Sequence, residues 1–120
     1  MKSKYEDIPQ FDRQEVEAAL ERDDAGELHV AVLAVALSSV DQAWAEGICM
    51  RLASHPDHIV RGNAILGMGH IARIHRKLDV EGVRPLIQAA LQDESEYIRG
   101  QADSAADDIE LFLKKSVRAA

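Results

Sequence analysis

The chain has 120 residues, of which 47% are hydrophobic and only 4% aromatic, and its formal net charge is −7. This length allows one domain with one core, and a core that is poor in aromatic residues and rich in alanine favours packed helices over a β-sandwich. Acidic residues predominate at both ends of the chain and the middle is nearly neutral, which argues against a nucleic-acid partner, because phosphate contacts need a basic face.

Apolar residues recur at the 3.6-residue period of an α-helix along most of the chain, and strand-like alternation is rare. The periodicity predicts six helices, at about 12–22, 26–38, 41–53, 58–76, 80–91 and 95–115. Asp12, Asp41 and Asp57 are suited to cap the first, third and fourth helices, because an aspartate side chain accepts hydrogen bonds from free backbone N–H groups. The second helix is apolar nearly all round, which predicts burial between its neighbours.

The fourth and sixth helices carry the same apolar stripe, displaced by 38 residues. The two stripes consist of Val60, Ala64, Gly67, Ile71 and Ile74, and of Ile98, Ala102, Ala105, Ile109 and Phe112. An Arg-Gly dipeptide follows the first residue of each stripe, at Arg61 and again at Arg99. A period of this size is typical of stacked helix pairs. The sequence therefore predicts the pairs 41–76 and 80–115, with 12–38 as a third, degenerate pair.

The start of the fourth helix resembles the second helix of HEAT repeats. The residues that match that family's pattern are His55, Pro56, Asp57, Val60, Arg61, Ala64, Ile65, Gly67, Met68, Gly69 and Ile71. The resemblance extends over 41–113, is poor over 12–38, and departs from the pattern at Glu94, Asp103 and Asp107. It implies an all-α fold, a right-handed α-solenoid of about three antiparallel helix pairs, within a single domain over 1–120.

The resemblance also implies contacts between repeats, in which Asp and Arg side chains from successive turns pair with each other. Arg61 and Arg99 lie near the acidic turns at Asp57 and Asp93, so we expect partly exposed ion pairs there, each contributing about 1 kcal/mol. We expect flexible ends at 1–11 and 116–120, to which no role is assigned.

Two surfaces are candidates for binding a protein partner. Solenoids usually bind through the concave face that the second helices line, and the residues placed there are Asn63, Leu66, His70, Ser104 and Asp108. The other candidate is an acidic face on the sixth helix, where Asp103, Asp107 and Glu110 share one side and Asp108 lies beside them. The alternative explanation for Asp103 and Asp107 is structural, because a terminal repeat needs a polar outer face.

No catalytic, cofactor or metal site is predicted. His55 and His58 share one turn, but no metal-binding spacing accompanies them. No Ser/His/Asp set and no glycine-rich phosphate loop is present. The basic run 73–77 lies at a helix C-terminus, where cations offset the helix dipole; contact with a small anion is the alternative.

The location of the protein is inferred from three absences. The single cysteine, Cys49, cannot form an internal disulfide, which favours a reducing compartment, and its apolar neighbours indicate inert core packing. Residues 1–10 do not resemble a signal peptide, and the apolar run 30–37 is too short to span a bilayer. We expect a soluble cytoplasmic protein without a membrane partner.

HEAT-like modules mostly act as scaffolds, so the resemblance implies protein binding without catalysis. Small acidic proteins with such helix pairs resemble some bacterial immunity proteins, including those of contact-dependent growth inhibition, which neutralise toxins, often nucleases, from neighbouring cells. An acidic surface suits the cationic cleft of such a toxin. The alternatives are a scaffold or adaptor subunit, which an apolar end face at 12–38 would indicate, and a HEAT-like bilin lyase or DNA-alkylation glycosylase. A glycosylase needs a basic, aromatic groove that this sequence lacks.

Overall fold

The computed structural model describes residues 12–119, most of which belong to six α-helices. These are α1 (Arg13–Arg22), α2 (Ala25–Ser38), α3 (Gln42–Leu52), α4 (His58–His75), α5 (Val80–Leu91) and α6 (Glu96–Leu113). No β-strand occurs within this range, so the predicted all-α class is confirmed. The predicted flexibility of 1–11 concerns residues outside the described part of the chain.

Every helix begins after a residue whose side chain accepts a hydrogen bond from a backbone N–H of the first turn. The capping residues are Asp12, Asp24, Asp41, Asp57, Asp79 and Ser95. Three helices end at left-handed residues, namely Asp23, Arg76 and Lys114, a conformation that closes a helix and is usually taken by glycine. The three caps predicted from the sequence are confirmed, and the helix boundaries follow from local hydrogen bonding.

Helix α4 lies at the centre of the molecule, between α2 and α6, and its contact with α6 is the most extensive in the fold. Both apolar stripes face this core, and their first four members are buried in each helix. The last members lie nearer the surface: Ile74 is 41% exposed and Phe112 is half-buried. Each first helix packs on its own second helix, α1 on α2, α3 on α4 and α5 on α6.

Helix α2 is buried between its neighbours, as predicted, except along one side. Val30 is 39% exposed, and Leu33 and Leu37 are only half-buried. Helix α2 contacts α1, α3 and α4, and no described helix covers its remaining side. The spacing of Val30, Leu33 and Leu37 places them on that side, as an apolar strip.

Small residues allow the central helices to approach each other closely. A Cβ atom on Gly69 would lie 2.8 Å from the Cα of Ala105, and one on Gly67 would lie 2.8 Å from the Sγ of Cys49. Cys49 is fully buried, and this burial raises the pKa of its thiol to about 12. The thiolate is therefore not populated near neutral pH, which agrees with inert packing.

The arginines of the two Arg-Gly dipeptides, Arg61 and Arg99, share one structural role. Arg61 Nη1 donates to the carbonyl oxygens of His55 and Pro56, at 3.0 and 3.2 Å. Arg99 Nη1 donates in the same way to the carbonyl oxygens of Asp93 and Glu94, at 2.8 and 3.0 Å. Each arginine thus fastens its helix to the turn before it through backbone carbonyl oxygens, which do not depend on the side chains of the turn.

The turns of successive pairs are also joined by ion pairs. Arg61 Nη2 lies 3.6 Å from Asp93 Oδ2, and both side chains are about three-quarters buried. Arg99 forms no such pair with any residue of 12–119. The predicted pair is therefore present for Arg61 and absent for Arg99.

Histidines make the corresponding contacts between the first two pairs. His55 Nε2 lies 2.7 Å from Asp23 Oδ1, and His29 Nε2 lies 2.9 Å from Asp57 Oδ1. Asp57 also accepts hydrogen bonds from the backbone N–H groups of Ile59 and Val60, both at 2.9 Å. The bonds from Val60 and His29 are the main causes that lower the pKa of Asp57 to about 2.

We expect the stability of the protein to fall in acid as Asp57 is protonated. The folded pKa of Asp57 lies below its ordinary value of 3.8, so its ionised form stabilises the fold fully above about pH 4. That contribution is lost as the pH falls through about 2. Urea midpoints measured from pH 2 to 7 should depend less on pH in Asp57→Asn than in the wild type. Equal slopes in the two proteins would contradict this assignment.

Candidate functional site

Two residues predicted to line an open concave face are inside the protein. Asn63 and His70 are each only 5% exposed, so their predicted position on a binding surface is wrong. Asn63 Nδ2 donates to the carbonyl oxygen of His29 at 3.1 Å, and Asn63 Oδ1 accepts from Tyr97 Oη and from Gln101 Nε2. Asn63 is therefore the centre of a polar network that joins α2, α4 and α6.

The burial of Asn63 follows from the close contact of α6 with α4. A Cβ atom on Gly62 would lie 2.7 Å from Cε2 of Tyr97, so the ring rests directly on the α4 backbone. His70 lies further along α4, and its Nδ1 is 3.2 Å from Nη2 of Arg73. Asn63 and His70 therefore lack the exposure that a binding surface requires.

The other residues predicted to line the concave face remain accessible. Ser104 is exposed, and Leu66 and Asp108 are half-buried. Burial is the largest cause of the raised pKa of Asp108; the positive charge of Arg73 opposes this rise, and the negative charge of Asp107 adds to it. Tyr97, which sequence analysis did not select, is 39% exposed and meets the His58 ring edge-on, with 6.2 Å between ring centroids.

The predicted acidic face of α6 is already occupied by the chain itself. Arg118 Nη2 lies 2.8 Å from Asp103 Oδ1 and 2.6 Å from Asp107 Oδ1, and Nη1 of the same guanidinium contacts Glu110. Its hydrogen bonds to Asp103 and Asp107 are the main reasons that the pKa of Arg118 is raised. Burial alone would raise the pKa of Glu110, but hydrogen bonds from the backbone N–H groups of Val117 and Arg118, together with the Arg118 guanidinium, lower that pKa.

The segment 116–119 packs on the protein and holds this arginine in place, whereas sequence analysis expected a flexible end and assigned it no role. Val117 is fully buried, Arg84 Nη2 donates to the carbonyl oxygen of Ser116 at 2.9 Å, and Gln88 donates to that of Ala119. The segment, here called the C-terminal strap, covers the outer face of α6. The structural explanation of Asp103 and Asp107 therefore fits better than an open acidic patch.

We expect Arg118→Ala to destabilise the protein by about 0.5–1 kcal/mol at low salt, because three carboxylates lose their shared cation. The loss should shrink when the ionic strength is raised, since salt screens the remaining repulsion. Lys115→Ala is the matched control, because it removes the same charge and Lys115 forms no ion pair with a described residue. Urea unfolding at low and high salt would show this difference. Equal losses in the two variants would contradict the role of the strap.

Small groups of exposed residues of like charge lie at the two ends of α4 and α6, beside residues of opposite charge such as Arg99 at one end and Asp79 at the other. The contacts of Arg61 with Asp93 and of Arg76 with the Phe112 ring, 4.5 Å from the ring centroid, show that these helices run parallel. The exposed acids near the starts of α2 and α6, here called the acidic edge, are Asp23, Asp24, Glu94 and Glu96. The exposed bases at the ends of α4 and α6, here called the basic edge, are Arg76, Lys77, Lys114 and Lys115. A groove of about 290 Å³ lies at the basic edge.

The first helix pair presents a mixed surface. Val40 is 97% exposed, and the apolar strip on α2 lies open beside it. Helix α1 instead exposes charged side chains such as Glu17 and Glu21, and Arg13 lies over the Trp44 ring, 4.8 Å from its centroid. The apolar end face that would indicate a scaffold subunit is thus present on α2 and absent from α1.

Within residues 12–119, no group of three or more His, Cys, Asp or Glu side chains is placed to hold a metal ion. In the same range, no helix has the length and apolar character that a membrane span requires.

These observations define a small all-α protein built from consecutive helix pairs. No protein-family model matches the sequence, that of HEAT repeats included, and no curated protein matches it. The fold is similar to that of a chain in the crystal structure of a CDI complex from Cupriavidus taiwanensis, with a TM-score of 0.77 and 21% sequence identity. The match covers 92% of this chain and 98% of the other, so the two share a fold over almost their whole lengths.

Proposed function

We propose that this protein is a non-catalytic immunity protein, which binds and neutralises a cognate bacterial toxin in the cytoplasm. The observation that carries the proposal is the match, nearly end to end, with a chain from a CDI complex, where CDI is taken as contact-dependent growth inhibition. A match over whole chains means that this protein has the same overall shape to present to a partner. The acidic charge and the small size agree with this role.

We further propose that the three helix pairs form a right-handed, HEAT-like solenoid. Helix α4 lies between α2 and α6, as the second helices of a solenoid do, and each first helix packs on its own partner. The Arg61–Asp93 contact between successive turns supports the same arrangement.

The toxin we propose is cationic, such as a nuclease domain, and it meets the acidic edge. Glu94 and Glu96 are exposed and form no ion pair within 12–119, whereas the acids of the outer α6 face are neutralised by Arg118. Free carboxylates attract a basic cleft and accelerate its association, and the effect weakens in salt. The acidic edge therefore replaces the face of Asp103, Asp107 and Glu110 as the proposed point of electrostatic contact.

The test is to mix the purified protein with candidate toxin domains encoded beside its gene. We expect one of them to bind at a 1:1 ratio and to lose its activity, with an association rate that falls about tenfold or more from low to high salt. The double variant Glu94→Lys/Glu96→Lys should slow association, while the matched control Glu17→Lys/Glu21→Lys on α1 should do so less. Failure of every candidate toxin to bind would overturn the proposal.

The second candidate function is a scaffold or adaptor subunit of a larger complex, which the apolar strip on α2 favours. Val30, Leu33 and Leu37 would contact another subunit there. Val30→Lys would then abolish assembly, and Glu94→Lys/Glu96→Lys would leave it intact. An immunity protein that binds through the acidic edge would show the opposite pattern of sensitivity.

A further inference from the structure

The Arg-Gly phrase of α4 makes two contacts with the next helix pair. Nη2 of Arg61 faces Asp93, 3.6 Å from its carboxylate, and Gly62 receives the ring of Tyr97 on its bare backbone. Asp93 and Tyr97 are four residues apart, at the turn and first turn of α6. The Arg-Gly dipeptide of α4 is thus a binding site for the start of a helix that carries a carboxylate and, four residues later, an aromatic ring.

In α6 the equivalent dipeptide, Arg99-Gly100, is exposed to solvent. Arg99 is exposed and uses Nη1 for its own turn, as Arg61 does, but it has no carboxylate partner within residues 12–119. A Cβ atom on Gly100 would meet nothing within 4 Å. The site by which α4 binds α6 is therefore repeated on α6 at Arg99 and Gly100, and no described part of the chain occupies this second copy.

The C-terminal strap covers only the other half of this helix face. Its contacts with α6 involve Asp103, Asp107 and Glu110 and do not reach the first turn. A glycine in an exposed helix interior destabilises the helix by about 1 kcal/mol relative to alanine. At Gly100 no contact within the described residues requires the absence of a side chain, whereas Gly62 shows what such a position accommodates.

We infer that Arg99 and Gly100 are a docking point for a helix start of the protein partner. The partner presents a carboxylate to Nη2 of Arg99 and, four residues later, an aromatic ring that rests on Gly100. This inference rests on the proposed function and adds one contact that the toxin makes. It continues, in a second molecule, the interface by which α6 binds α4.

A second copy of this chain does not supply the required groups. If its first pair stacked on α6, the position that Tyr97 holds, second after the capping residue, would be taken by Gly26 of α2. No aromatic ring would then cover Gly100. The chemistry of the docking point therefore selects a different protein, with an Asp or Glu and a Tyr, Phe or Trp at this spacing.

The test uses the toxin domain encoded beside the gene and two pairs of variants. Gly100→Leu fills the space of the ring and Arg99→Ala removes the cation; the controls are Gly47→Leu and Arg51→Ala on α3, since Gly47 is also open and both residues are exposed. We expect each test variant to weaken toxin binding about tenfold, mainly through faster dissociation, and each control to bind like the wild type. Urea midpoints report whether the fold is intact.

The two proposals fail in different ways. If the wild type binds a toxin and both test variants bind it as tightly as the controls, the docking point is wrong and the immunity function stands. If no toxin binds the wild type, the proposed function is overturned and the docking point falls with it.

Discussion

Replacing Gly69 with valine is expected to destabilise the protein by about 3 kcal/mol, because the new side chain collides with backbone. A Cβ atom at this position would lie 2.8 Å from the Cα and 3.3 Å from the carbonyl oxygen of Ala105. These atoms cannot move away as the end of a flexible side chain can, so α6 would have to shift as a whole. Because α4 and α6 share the largest helix contact, such a shift weakens the whole core.

Gly100→Ala provides a matched control, which is expected to raise the free energy of unfolding instead of lowering it. It adds a methyl group to the parallel helix, where nothing lies within 4 Å, and should stabilise the protein by up to about 1 kcal/mol through helix propensity. Chemical denaturation of both variants measures the difference. Similar free energies of unfolding for the two would show that the helices are further apart than the Gly69–Ala105 contact indicates.

Asn63→Ala is expected to lower stability by about 2–3 kcal/mol, although the residue is polar and short. Its side chain satisfies the carbonyl oxygen of His29, the hydroxyl of Tyr97 and the amide of Gln101 at once. With Asn63 at 5% exposure, water replaces these bonds poorly after truncation. The cost is that of leaving buried polar groups without partners, which exceeds the net contribution of a single hydrogen bond.

Gln101→Ala removes a member of the same network from its solvent side. Gln101 is half-buried, so water reaches its partners and the expected loss is below about 1 kcal/mol. Thermal and urea unfolding of both variants, with toxin binding measured on the folded fraction, would separate structure from recognition. Reduced toxin binding by a stably folded Asn63→Ala variant would contradict the internal role and restore the earlier surface prediction.

The helices were predictable because their signals are local. The 3.6-residue spacing of Val60, Ala64 and Ile71 and the capping positions of Asp12 and Asp57 depend only on near neighbours in the chain. The stripes also identified most of the core correctly, because the same spacing that forms a helix face decides which face is buried.

The candidate site was less predictable, because it depends on distances between helices. The burial of Asn63 follows from how closely Tyr97 settles on Gly62, and no local pattern encodes that distance. The position of Arg118 is a second example, since its carboxylate partners lie up to 15 residues away, on a face that the sequence left open. A basic residue shortly after an acidic helix face is the one signal that could have indicated the strap.

The four acids of the acidic edge and the four bases of the basic edge lie at opposite ends of α4 and α6, so together they contribute a component to the electric dipole of the molecule, in addition to its net charge of −7. In the field of a charged neighbour a dipole experiences a torque, so the protein would be rotated before it touches anything. Exchanging the acids of the acidic edge with the bases of the basic edge, with the net charge held constant, should therefore reduce the frequency of correctly oriented collisions. The lifetime of a complex once formed would change little, provided the exchanged side chains lie outside the contact area.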